Sequence, residues 1–153
     1  MAELKDRLRA DLTASIKGRE QLRSSTLRLV LAAVTNAEVA GKQARQLSDD
    51  EVQAVIASEA KKRRESAEAF TGGGRPEMAE RETAEAAILA DYLPEQMSAE
   101  EIAAVVAEVL AQTGASGEGM RAMGKVMGAV QPKVRGRADG GAVAAEVKRQ
   151  LGV

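Results

Sequence analysis

Gly124-Lys125-Val126-Met127-Gly128 and Val134-Arg135-Gly136-Arg137-Ala138-Asp139-Gly140 gather the residues of this chain best suited to hold a charged ligand. Arg121, Lys125, Lys133, Arg135 and Arg137 fall in one stretch, and Asp139 is its single carboxylate. Lys133, Arg135 and Arg137 alternate around Val134 and Gly136, so a constrained turn flanked by Pro132 and Gly140 is expected to present them. Clustered Lys and Arg suit contacts to phosphates, which position a nucleic acid without reading its bases. Gly124 and Gly128 sit inside a helical pattern, where each costs ~1 kcal/mol against alanine. Close backbone approach, by a neighbouring helix or by a ligand, is the expected return on that cost. Phe70 and Tyr92 are the only aromatic residues and both lie earlier. Stacking of single-stranded bases is therefore not expected here, and a contact to the backbone and shape of a folded RNA is.

Catalytic chemistry has few carriers. Without cysteine there is no thiolate nucleophile, no disulfide and no Cys-ligated zinc; without histidine the commonest general base and metal ligand are missing. Asp49-Asp50-Glu51 and Glu80, Glu82 and Glu85 are accounted for by helix caps and helix faces. Gly72-Gly73-Gly74-Arg75 lacks the lysine-plus-hydroxyl ending of a phosphate loop and no strand precedes it, so it reads as a helix connector. Lys61-Lys62-Arg63-Arg64 points around a whole helix cylinder. Arg63 falls on the apolar line with Glu59 one turn earlier, which favours an ion pair with its charged heads in water over a phosphate patch. The expectation is no catalytic residue, no metal site and no cofactor.

The elements that must position these residues are helical. Leu4, Leu8, Leu12 and Ile16 recur every four residues, and Gly18 is expected to stop that helix. Leu27, Val30, Leu31 and Val34 form the stripe of a second helix ending near Gly41. Ser48 and Glu51 make a capping box for a third, running past Phe70 to the triple glycine. Pro76 opens a fourth, which ends at Tyr92-Leu93 because Pro94 disfavours helical geometry before it. Ser98 and Glu101 form a second box, for a fifth helix with Ile102, Val105, Val106, Val109 and Leu110 inward. A sixth carries Met120, Met123, Met127 and Val130; a seventh, capped by Asp139, carries Val143, Val147 and Leu151.

The 153 residues are 44% apolar and 1% aromatic, so the core is built from small aliphatics and favours closely packed helices. An all-α chain is expected, with a helical N-terminal domain at 1–94 and a small three-helix C-terminal domain at 95–153. The overall charge of −1 hides an asymmetry: seven cations against three acids from Gly114 onward, an excess of acid before it. No apolar run approaches a membrane span, and Met1 to Arg9 lacks the apolar core of a signal peptide. A soluble, cytoplasmic protein is expected.

Ile88-Leu89-Ala90-Asp91-Tyr92-Leu93-Pro94-Glu95-Gln96-Met97-Ser98 and the two glycine-rich runs quoted first closely resemble the GatB/YqeY family, specifically its stand-alone YqeY-like members. The resemblance covers essentially the whole chain. It implies a C-terminal domain similar to the tail of the B subunit of the glutamine-dependent tRNA amidotransferase, which helps hold tRNA. The tail's pattern falls on Gly124, Val126, Met127, Gly136, Arg137, Ala138 and Asp139. It also implies a carbon–nitrogen ligase relationship with glutamine as amido donor, although the catalytic cradle of the B subunit has no counterpart here. The resulting expectation is an accessory protein that binds tRNA or another folded RNA, or an amidotransferase or synthetase partner. Lys125, Lys133, Arg135, Arg137, Arg121, Gly124 and Gly128 would form the contact. The alternative is a helical adaptor that binds proteins alone.

Overall fold

Side-chain caps, a proline and glycine breaks set most of the helix ends. The computed structural model describes residues 3–153. Its helices are α1 Glu3–Lys17, α2 Gln21–Val39, α3 Asp49–Gly72, α4 Pro76–Ala90, α5 Ala99–Thr113, α6 Met123–Val134 and α7 Gly140–Leu151, with a 3-10 turn at Gly119–Ala122. No strand occurs among the described residues, so the protein is all-α. At the start of α3 the Ser48 hydroxyl accepts from the Glu51 amide, and the Glu51 carboxylate accepts from the Ser48 amide, completing the box. At α5 only half of the expected box forms. Ser98 Oγ accepts from the Glu101 amide, while the Glu101 carboxylate takes the Ser98 hydroxyl rather than its amide. Pro76 occupies the first turn of α4, which ends at Ala90, just short of Tyr92-Leu93.

The contacts divide the chain into a unit ending at Leu93 and a second unit, Pro94–Val153. In the first, Leu8, Leu27, Val30, Val34, Leu47, Val52, Ile56, Ala60, Leu89 and Tyr92 form the core. α3 and α4 are joined by three residues and pack as an antiparallel hairpin, with Ala60, Ala79 and Ala86 buried. Residues spaced by four drift ~40° per step, so the stripe that begins at Leu4 rotates out of the core. Ile16 is correspondingly exposed, contrary to its expected inward position. Gly18 follows directly on the end of α1 at Lys17, as expected, without being left-handed itself. That conformation falls on Arg19, at φ +57°, with Arg19 N–H donating to Ile16 O and Glu20 N–H to Ser15 O.

Polar groups pin the first unit as well. Lys5 Nζ and the Leu47 amide both donate to Glu38, at 2.6 and 3.2 Å, tying α1 to α2 and to the segment before α3. Arg63 pairs with Glu59 at 2.8 Å, as expected. Its head does not reach water: it lies against Glu85 of α4, and the Arg63 and Glu85 side chains are only 12% and 9% exposed. Charges buried this well are held by mutual pairing. Just past α4, the Tyr92 hydroxyl donates to Asp11 Oδ2 and Arg7 lies 4.5 Å over its ring. Burial first, and then the Asp11 carboxylate, push the Tyr92 phenol up to about 12.

Two outcomes follow for stability. Tyr92→Phe should cost about 1–2 kcal/mol in chemical denaturation, the value of a hydrogen bond to a carboxylate that water can re-solvate in part. The Arg45 guanidinium and the Ser48 amide hold the Glu51 carboxyl at about 2, below its ordinary 4.5. A depressed carboxyl contributes fully above its unfolded value and loses that contribution as pH falls through its folded value. The unfolding midpoint should therefore drop between pH 4.5 and about 2, and Glu51→Gln should flatten that limb.

Candidate nucleic-acid interface

The second unit has one core, drawn from all three of its helices: Ile102, Val106, Val109 and Leu110 of α5, Val126, Val130 and Val134 of α6, and Val143, Val147 and Leu151 of α7, with Ala115 and Ala122. The buried stripe leading into and along α6 is Ala122, Val126, Val130 and Val134, which keeps Val130 of the expected line but not its methionines. Met123 and Met127 are half-buried, and Met120 is exposed. At ~100° per residue Met123 and Met127 fall along one edge of that stripe, and the valines take its centre.

That register decides where the glycines go. At ~100° per residue, Gly128 falls roughly 180° from the centre of the buried stripe and Gly124 about 140° from it. Both are exposed, and no atom lies within 4 Å of a Cβ built at either position. Close helix–helix packing, one of the two explanations open for these glycines, is therefore not what they provide. Pro132 shares the outward side of α6 and has no amide to donate to the Gly128 carbonyl. The result is an outward helix face with open space at two positions, where the Gly128 carbonyl lacks its usual helical donor. α6 carries no carboxylate along its length.

The cations take several roles. Lys133 is not on a turn: α6 runs through Pro132 to Val134, so Lys133 is helical and pairs with Glu108 of α5 at 3.5 Å. Lys125 donates to the Thr113 carbonyl at the C-terminal end of α5, at 3.3 Å, where the helix dipole favours a cation. Arg137 donates through Nε to the Glu95 carbonyl at 3.1 Å and lies 3.8 Å from Glu101. The loop it belongs to is stitched to the segment before α5: the Arg137 carbonyl accepts from the Met97 amide at 2.8 Å, and the Gly136 carbonyl from Gln96 Nε2. Gly136, at φ +75°, allows the turn. Asp139 caps α7 through the Ala142 amide. The Arg121 and Arg135 side chains are exposed and make no hydrogen bond or ion pair among the described residues.

The structure thus strings Lys125, Lys133 and Arg137 along α5 at Thr113, Glu108 and Glu101, spacings of about 7 and 10 Å at 1.5 Å per residue. It leaves Arg121 and Arg135 near the two ends of α6. Gln96, which holds the loop through Gly136, carried no signal of its own in the sequence. No group of acids able to hold a metal occurs among the described residues, and no helix there is long and apolar enough to cross a membrane.

The stitched loop and the bare glycine face are built from the three runs that carried the family resemblance. Residues 5–151 match the family of Yqey-like proteins. The chain belongs to that family. No curated protein matches it. Family membership covers both units and so includes α6 with its outward glycines.

Since the space beside Gly124 and Gly128 is open and neither has a left-handed backbone, Gly124→Ala and Gly128→Ala should each stabilise the protein, by about 0.5–1 kcal/mol in urea denaturation. A loss of stability at either position would mean that the backbone there is used internally.

Proposed function

We propose that this protein is an accessory, cytoplasmic, tRNA-associated member of its family, related to the glutamine-dependent amidotransferase through a GatB-tail-like second domain. In this reading the chain binds and does not catalyse; any amidation belongs to a partner enzyme. The contact is the outward face of α6, bounded by Arg121, Lys125 and Arg135. The observation that carries the reading is that face itself: two helix-weakening glycines turned to solvent, uncovered, on a helix without a carboxylate. A phosphate backbone can approach the main chain there, and the unfilled Gly128 carbonyl is an acceptor for a ribose 2′-hydroxyl. Lys133 and Arg137 contribute less, because Glu108 and Glu101 already offset their charge.

Filter binding of tRNA at low salt checks this. Arg121→Glu, Lys125→Glu and Arg135→Glu together should abolish retention, and single replacement by Ala should each lower the slope of log affinity against log salt by about one. Lys133→Ala should change little. Gly124→Leu, which puts bulk on the face, should weaken binding without unfolding the chain. Undiminished retention by the triple variant rejects the reading and leaves the helical adaptor, whose captured proteins persist after nuclease treatment.

A further inference from the structure

A groove of about 890 Å³ opens in the first unit between the end of α1, the start of α2 and the start of α4. Arg19 of the α1–α2 connector, Arg28 of α2 and Arg81 of α4 line it, together with Ser25 and the apolar side chains of Ile16 and Leu22. No carboxylate lines it. The Arg19 and Arg28 guanidinium groups make no hydrogen bond or ion pair among the described residues. Arg81 lies 3.5 Å from Glu85, a carboxylate it shares with Arg63. The adjacent acid in sequence, Glu20, turns towards Gly18: its Oε2 is 3.6 Å from a Cβ placed there.

The backbone supports the same reading. α2 starts at this groove with no side-chain cap, so its first amides are unfilled by the chain. Arg19 occupies a left-handed position between two closing hydrogen bonds, a place where glycine is the favoured residue. An arginine kept there is held at a conformational cost.

We propose that the groove is a phosphate-binding site for a ligand with two or more negative charges, a phosphate monoester or a diphosphate, whose organic body lies on Ile16 and Leu22. Three guanidinium groups from separate elements exceed what one carboxylate neutralises and match a multiply charged phosphate, which takes paired N–H donors. Ile16 is 48% exposed, which gives an uncharged part of the ligand apolar surface to cover. The site is formed by the first unit alone and does not depend on α6.

Calorimetric titration of the full chain with inorganic pyrophosphate tests the proposal. It is run in the Arg121→Glu, Lys125→Glu, Arg135→Glu background so that α6 contributes nothing. Saturable binding is expected, weakened about tenfold or more by Arg28→Ala and by Arg19→Gly, a change of ~1.4 kcal/mol per tenfold. Arg19→Gly should at the same time raise the unfolding temperature, so its loss of binding cannot be ascribed to misfolding. ADP and a 5′-phosphorylated RNA oligonucleotide then separate the sources: tighter binding of the former identifies a free nucleotide, of the latter an RNA end. No saturation in the millimolar range, or affinity unchanged in both arginine variants, overturns the proposal.

Discussion

The buried stripe of Ala122, Val126, Val130 and Val134 is the constraint from which the second unit takes its character. Four small or β-branched side chains, each one turn from the next, face α5 and α7 and leave no freedom in the rotation of α6. Once that rotation is set, Gly124 and Gly128 must point outward. They give up helix propensity without returning any packing. A helix that loses intrinsic stability on its solvent side has to be held by its inner side, and this one is.

The cations around α6 divide by the same logic. Those that lean towards α5 find acceptors there: the carbonyl at its C-terminal end for Lys125, Glu108 for Lys133, Glu101 and the Glu95 carbonyl for Arg137. Arg137 is foremost a structural strut, since it closes the loop between α6 and α7 onto the segment before α5. Lys125 serves the fold while staying exposed. Arg121 and Arg135 have no internal duty. Net charge over a stretch of sequence therefore overstates what is offered to a partner, because part of it is spent within the fold.

Helices and their caps were legible because their causes are local. Ser48 with Glu51, Pro76 at a first turn and Asp139 before α7 each act within four residues. What escaped required knowledge of a neighbour. In α6 the methionines and the valines lie on neighbouring lines, and only packing against α5 and α7 decides that Val126, Val130 and Val134 take the centre. Arg63 was placed correctly beside Glu59, but the depth of its burial depends on Glu85, more than twenty residues away on the opposing helix. Gly18 follows the end of α1 as its type suggests, but the left-handed residue there is Arg19, which hydrogen bonding fixes and residue type does not announce. The three arginines of the first-unit groove, at positions 19, 28 and 81, have no spacing that could announce them.

The hydroxyl of Tyr92 and the carboxylate of Asp11 are separated by 81 positions, nearly the whole first unit. Loop-closure entropy must be met before such a contact forms. During synthesis α1 can pack on α2 and α3 first, and the tie from Asp11 to Tyr92 is added once the segment just ahead of Pro94 has been made. The first unit is thus sealed by nearly its last residue. A chain cut before Tyr92 keeps the packing of α1 on α2 and of α3 on α4 and loses the tie between the two ends of the unit.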